Sequence, residues 1–100
     1  MRIKAFSEKR TGAEGETVRL ARDENGTEYR LLRTASGEKE IVYSLSVRSV
    51  SGEMCLLTDV ARRAESADRL FALFLREGVS PINAAEVAEE LLAREPSLFV

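Results

Sequence analysis

The apolar residues of this chain change their spacing once, near Val60: before it they recur at every second position, and after it at helical intervals. A period of two fits a strand with one buried face, and a period of about 3.6 fits a helix with one apolar stripe. The order of the two signals predicts an α+β architecture in which a sheet is built first and helices follow. One hundred residues suffice for a single domain spanning 1–100.

The clearest strand covers 41–50, where Ile41, Tyr43, Leu45 and Val47 alternate with Ser44, Ser46 and Arg48. Ser51-Gly52 supplies turn chemistry, and 53–58 resumes with the apolar run Met54, Cys55, Leu56 and Leu57 as a covered second strand of that hairpin. Upstream, 16–22 places Val18 and Leu20 on one side and Thr17 and Arg19 on the other, while 28–34 sets Tyr29 and Leu31 opposite Arg30. Between them stands Asp23-Glu24-Asn25-Gly26, and Asn-Gly is a strong hairpin signal because both residues tolerate positive φ. A further turn at 35–38 leads into the long strand. The stretch 16–60 thus predicts a four-stranded antiparallel meander, with 2–6 a candidate fifth strand. The polar, glycine-bearing stretch 7–15 reads as a loop or mobile arm.

A helical hairpin is expected over 66–94, packed on one face of the sheet. Its first helix runs from Ser66 as N-cap to Glu77, with Gly78 placed to end it in a left-handed conformation. Ala67, Leu70, Phe71, Phe74 and Leu75 form its apolar face, Arg69 and Arg76 lie opposite, and Leu73 falls off the stripe. The second helix begins near Ser80-Pro81 or at Asn83, whose Glu86 completes a capping-box spacing, and Pro96 stops it. Ala84, Val87, Ala88, Leu91 and Leu92 should face inward, with Glu86, Glu89, Glu90 and Arg94 outward. The short connection predicts antiparallel helices.

Composition narrows the chemistry. There is no His, the commonest general base near neutral pH and the commonest transition-metal ligand, and a single Cys builds neither a metal site nor an internal disulfide. Cys55, inside an apolar run, reads as a small buried hydrophobe, and a reducing cytoplasm is the expected location. Residues 1–8 lack the apolar core of a leader, and no apolar run is long enough to span a bilayer, so no membrane is expected. Gly12 and Gly15 lack the spacing of a phosphate loop. Seventeen acids against fifteen bases leave a formal charge of −2, which disfavours nucleic acid as a partner. A weak nucleic-acid surface would have to use Arg19, Arg30 and Arg48 on the outward strand side, where no exposed aromatic offers stacking.

The densest charge feature is Glu86, Glu89 and Glu90. Paired carboxylates serve hydrolysis or hold cations when they are buried or joined by further ligands. On the polar arc of an amphipathic helix they form a solvated face, with Glu90 and Arg94 spaced for an ion pair, or else a docking surface for a basic partner. Leu32, Val42 and Leu73, all read as outward-facing, raise self-association into a homo-oligomer as another use of the surface.

Tyr43-Ser44-Leu45, Thr58-Asp59-Val60, Val79-Ser80-Pro81 and the run from Glu86 to Leu92 together resemble a family of short uncharacterised proteins from Gram-positive anaerobic bacteria, a domain of unknown function. The likeness covers 28–92. It implies a cytosolic α+β domain, with acids at the positions of Glu86, Glu89 and Glu90, and brings no catalytic residue, cofactor or substrate. The expectation is a non-catalytic, cytoplasmic protein-binding or regulatory module without a cofactor. Its alternatives are a small-molecule sensor, with a pocket between sheet and helices beside Ala84, Ala85 and Ala88, and the weak nucleic-acid binder.

Overall fold

A computed structural model of the chain describes residues 2–7, 15–36 and 40–100. Five strands, β1 (Arg2–Ser7), β2 (Glu16–Arg22), β3 (Glu28–Ser36), β4 (Glu40–Arg48) and β5 (Glu53–Ala61), form one antiparallel sheet in the order β1-β5-β4-β3-β2. Strands β2 to β5 are the expected meander, and β1 adds to the far edge of β5. Helices α1 (Ala64–Glu77) and α2 (Ala84–Arg94) follow, then a 3-10 turn at Pro96–Phe99. The loop or arm expected at 7–15 lies, apart from its two ends, outside the described residues, as do residues 37–39 between β3 and β4, on which part of the turn expected at 35–38 falls.

The alternating strands put two rows beneath the helices. Leu31, Leu45 and Leu57 pair side by side across β3, β4 and β5, as do Tyr29, Val47 and Cys55, and all six are at most 1% exposed. Against these rows α1 lays Ala67, Leu70, Phe71 and Phe74, each buried. Burying aliphatic and aromatic side chains of this size contributes about 1.5 to 3 kcal/mol apiece, which makes α1 the main fastening between the layers. The second helix has its main contact with the sheet at β5, and the 3-10 turn fills the space between both helices and that strand. Leu98 is its buried plug.

Several expectations change in the structure. The alternation of β2 is interrupted by a register shift between Thr17 and Arg19, which sends Arg19 and Ala21 to the helix side. Arg19 pairs with Asp68 at 3.4 Å and sits 5.1 Å above the Phe71 ring, whereas Val18 and Leu20 are exposed. The turn at 23–27 needs positive φ only at Gly26, not at Asn25. Asp23 accepts from the Gly26 N–H through its carbonyl, and from the Asn25 and Thr27 N–H groups through its carboxylate. That is a three-residue loop with glycine in the left-handed position. Strand β5 runs beyond Thr58 because Asp59, at φ 57, absorbs an irregularity that leaves both Val60 and Ala61 buried.

The helices differ as well. Ser66 does not cap α1, which starts two residues earlier; its buried hydroxyl instead donates to the Ser97 carbonyl at 3.2 Å. Pro96 does more than stop α2, since the chain turns back so that the Arg62 and Arg63 N–H groups meet the Val100 carbonyl. Leu73 is half-buried rather than outward, and Leu92 is exposed rather than inward. On the opposite sheet face Leu32, Met54 and Leu56 cluster with buried Ser44 and Ser46, so that face is less solvated than the alternation suggested.

Candidate functional site

The site begins with the end of α1. Gly78, at φ 63 and ψ 41, donates its N–H to the Leu75 carbonyl, and the next N–H, from Val79, returns to Phe74. This left-handed cap turns the chain sharply, as the glycine spacing predicted. Val79 is buried, and its carbonyl accepts the Tyr29 hydroxyl at 2.8 Å. Asn83 then accepts from the Ser80 N–H and is bonded to its hydroxyl, so the reciprocal Asn83–Glu86 capping box does not form.

Because α1 sits on the sheet and α2 leans on the 3-10 turn, a cleft remains between the helices. One cavity of about 400 Å³ is lined by Leu73, Arg76, Val87, Glu90, Leu91 and Arg94, among others. A second, of about 370 Å³, shares Leu73, Arg76 and Glu95 with the first and extends to Arg69, Ala72 and Leu98. Its floor is aliphatic and its rim carries charges of both signs. Arg76 approaches Glu77 at 3.5 Å, and Arg94 stands 4.0 Å from Glu90, the spacing expected from sequence. These pairs are well exposed, so each contributes about 0 to 1 kcal/mol and leaves its groups free to exchange partners.

Of the three candidate glutamates the cleft takes one. Glu86, Glu89 and Glu90 are all exposed on α2, yet only Glu90 lines a described cavity. Successive residues turn by about 100°, which points Glu89 away from the side that Glu90 shares with Val87 and Arg94. Glu86, one turn before Glu90, stays on Glu90's side while Glu89 turns away, and among the described residues no group of three carboxylate or thiol side chains is arranged to hold a metal ion.

The three arginines considered for nucleic acid do not share a face. Arg19 lies against α1, while Arg30, on the opposite side, pairs with Glu28 at 3.3 Å. Cys55 is 1% exposed, and burial pushes its thiol pKa up, away from the reactive thiolate. Neither described cavity is lined by Ala84, Ala85 or Ala88; Ala84 and Ala88 are themselves core residues. Arg69, Arg76, Glu95 and Leu98 were not among the residues expected to form a site. The available signal was Leu73, which lies off the apolar stripe beside Ala72 and between the two arginines.

No protein-family model, curated protein or solved structure matches this chain. Among the described residues, no helix is long and apolar enough to cross a membrane.

Proposed function

We propose that the protein is a non-catalytic, cytoplasmic binding or regulatory module that engages a protein partner along the cleft between α1 and α2. The observation that carries this reading is the cleft's make-up: an aliphatic floor of Leu73, Val87 and Leu91 inside a rim of Arg76, Glu90 and Arg94. An apolar centre with a polar rim enriched in Arg is the usual anatomy of a protein interface. Glu86 and Glu89 extend the rim outward, where they would meet basic groups of the same partner. Membership of the bacterial family resembled by 28–92 belongs to the same proposal.

Affinity capture from the source cell with quantitative mass spectrometry tests it, using the parent chain, a Leu73→Glu variant, and a variant with Glu86, Glu89 and Glu90 all changed to Gln. A partner enriched by the parent, lost with Leu73→Glu and weakened with the glutamine variant supports the reading. Identical capture by all three rejects it.

The volumes favour one second reading. Cavities of 370 and 400 Å³ are large enough for a small metabolite, so a sensor of small molecules is the alternative. It predicts a rise in melting temperature with a metabolite, which Leu73→Glu should abolish.

A further inference from the structure

Asn25 and Gly26 stand side by side in the turn between β2 and β3, yet positive φ falls on Gly26 alone. The bond described at Asn25 starts from its backbone N–H; its carboxamide is exposed and enters no hydrogen bond among the described residues. The chain holds two asparagines and no glutamine, so Asn83 is the one comparison to make. That residue is built in. Its Oδ1 accepts from the Ser80 N–H at 2.9 Å and is bonded to the Ser80 hydroxyl at 3.0 Å, and the residue after it is the buried Ala84 at the start of α2. The residue after Asn25 has no Cβ.

This difference decides a covalent reaction to which asparagine is prone. The next backbone nitrogen gives its proton to solvent hydroxide and attacks Cγ. A new N–Cγ bond closes a five-membered succinimide, and the side-chain nitrogen leaves as ammonia. Water then opens the ring at either carbonyl, giving an ordinary Asp or a β-linked isoaspartate, so one water enters for each ammonia lost. A side chain on the attacking residue hinders the approach to Cγ, and a bonded carboxamide or a helical backbone holds the two atoms apart. Asn83 meets all three obstacles, and Asn25 meets none of them.

What restrains Asn25 is the turn itself. The Gly26 N–H donates to the Asp23 carbonyl at 3.0 Å, and the Asn25 N–H donates to Asp23 Oδ1 at 2.9 Å. The nitrogen has to leave the first of these bonds before it attacks. At a hairpin tip such bonds open locally, without unfolding of the sheet.

We propose that Asn25 is a site of spontaneous deamidation through a succinimide, gated by opening of the turn at 23–27. The product acts on the fold. A β-linked residue 25 puts an extra methylene into the main chain of a three-residue loop, which takes the Gly26 N–H out of register with the Asp23 carbonyl. Asp23 also meets the Tyr29 hydroxyl, whose other partner is the Val79 carbonyl, so the change loosens the turn from the loop that follows α1. The site is distinct from the cleft between the helices and stands whether or not that cleft binds a partner.

The test follows the full chain in mildly alkaline buffer by intact mass and peptide mapping, beside a synthetic peptide of residues 21–29. The proposal predicts replacement of NH2 by OH at Asn25, with isoaspartate among the products, about tenfold more slowly than in the peptide, the factor that one net hydrogen bond supplies. Asp23→Ala removes the acceptor of the Asn25 and Thr27 N–H groups and should bring the rate toward that of the peptide. The comparison of chain with peptide decides the matter even if that variant does not fold. Conversion led by Asn83, a chain as fast as the peptide, a folded Asp23→Ala variant no faster than the parent, or no change at Asn25 once the peptide is fully converted would overturn the proposal.

Discussion

The Tyr29 hydroxyl donates to the carbonyl of Val79 at 2.8 Å across 50 positions of sequence, fastening the start of β3 to the residue that follows the α1 cap. Asp23 Oδ2 lies 3.2 Å away on the other side. Burial and the nearby Asp23 carboxylate push this phenol from its ordinary 10.0 up to about 12. Folding therefore holds the neutral form. The stabilisation is complete below pH 10 and is lost as pH rises from 10 through 12, an effect on the order of 2 kcal/mol. Tyr29→Phe should cost about 1 to 3 kcal/mol at neutral pH, because the buried Val79 carbonyl loses its donor, and should flatten that alkaline loss. Urea unfolding of both proteins between pH 8 and 12, alongside absorbance titration of the tyrosines, checks the sign and the window.

The contact between layers rests on α1 and on the return of the chain after α2. Phe74 is 0% exposed and Leu98 is 2% exposed. Phe74→Ala should destabilise by about 3 to 5 kcal/mol and Leu98→Ala by about 2 to 5, enough to threaten a domain of this size. If Leu98→Ala costs under about 1 kcal/mol in chemical denaturation, the 3-10 turn is not a plug of the core.

Asp59 is the one described non-glycine residue with positive φ. Its side chain is 45% exposed and 3.8 Å from Arg62, so the ion pair matters little. Backbone conformation decides the outcome here. Asp59→Val should cost about 1 to 3 kcal/mol, whereas Asp59→Gly and Asp59→Asn should stay within about 1 of the parent, since both tolerate the left-handed region. Equal stability of all three variants in thermal melts would remove the strain argument.

Much of this fold was legible in the sequence because β4, with a strand on each side, repeats its large apolar residues Ile41, Tyr43, Leu45 and Val47 at every second position. The period of β4 located the sheet, and Gly78 located the end of α1. The facing of β2 was not legible: at an edge, a one-residue bulge reverses inside and outside without changing composition, which put Arg19 against Phe71 and left Leu20 in water. Ser66 has the chemistry of an N-cap, but its hydroxyl serves the Ser97 carbonyl, a partner 31 positions away that local pattern does not reveal. The candidate site was only partly visible for a similar reason. Helical spacing placed Glu86, Glu89 and Glu90 on an outer arc, yet the cleft depends on how far α2 stands from α1.

Cys55 offers a simple kinetic check on the core. With the thiol 1% exposed and burial pushing its pKa up, a disulfide reagent should react slowly in native buffer and at once in denaturant. Immediate stoichiometric reaction of the folded chain would mean that β5 opens readily.

Hydrogen–deuterium exchange of the chain, alone and saturated with the captured partner, tests the central proposal most directly. The cleft predicts new protection along 69–76 of α1 and 87–95 of α2, with the amides of β3 and β4 unchanged. Protection confined to the sheet, with both helices exchanging as in the free protein, would contradict it.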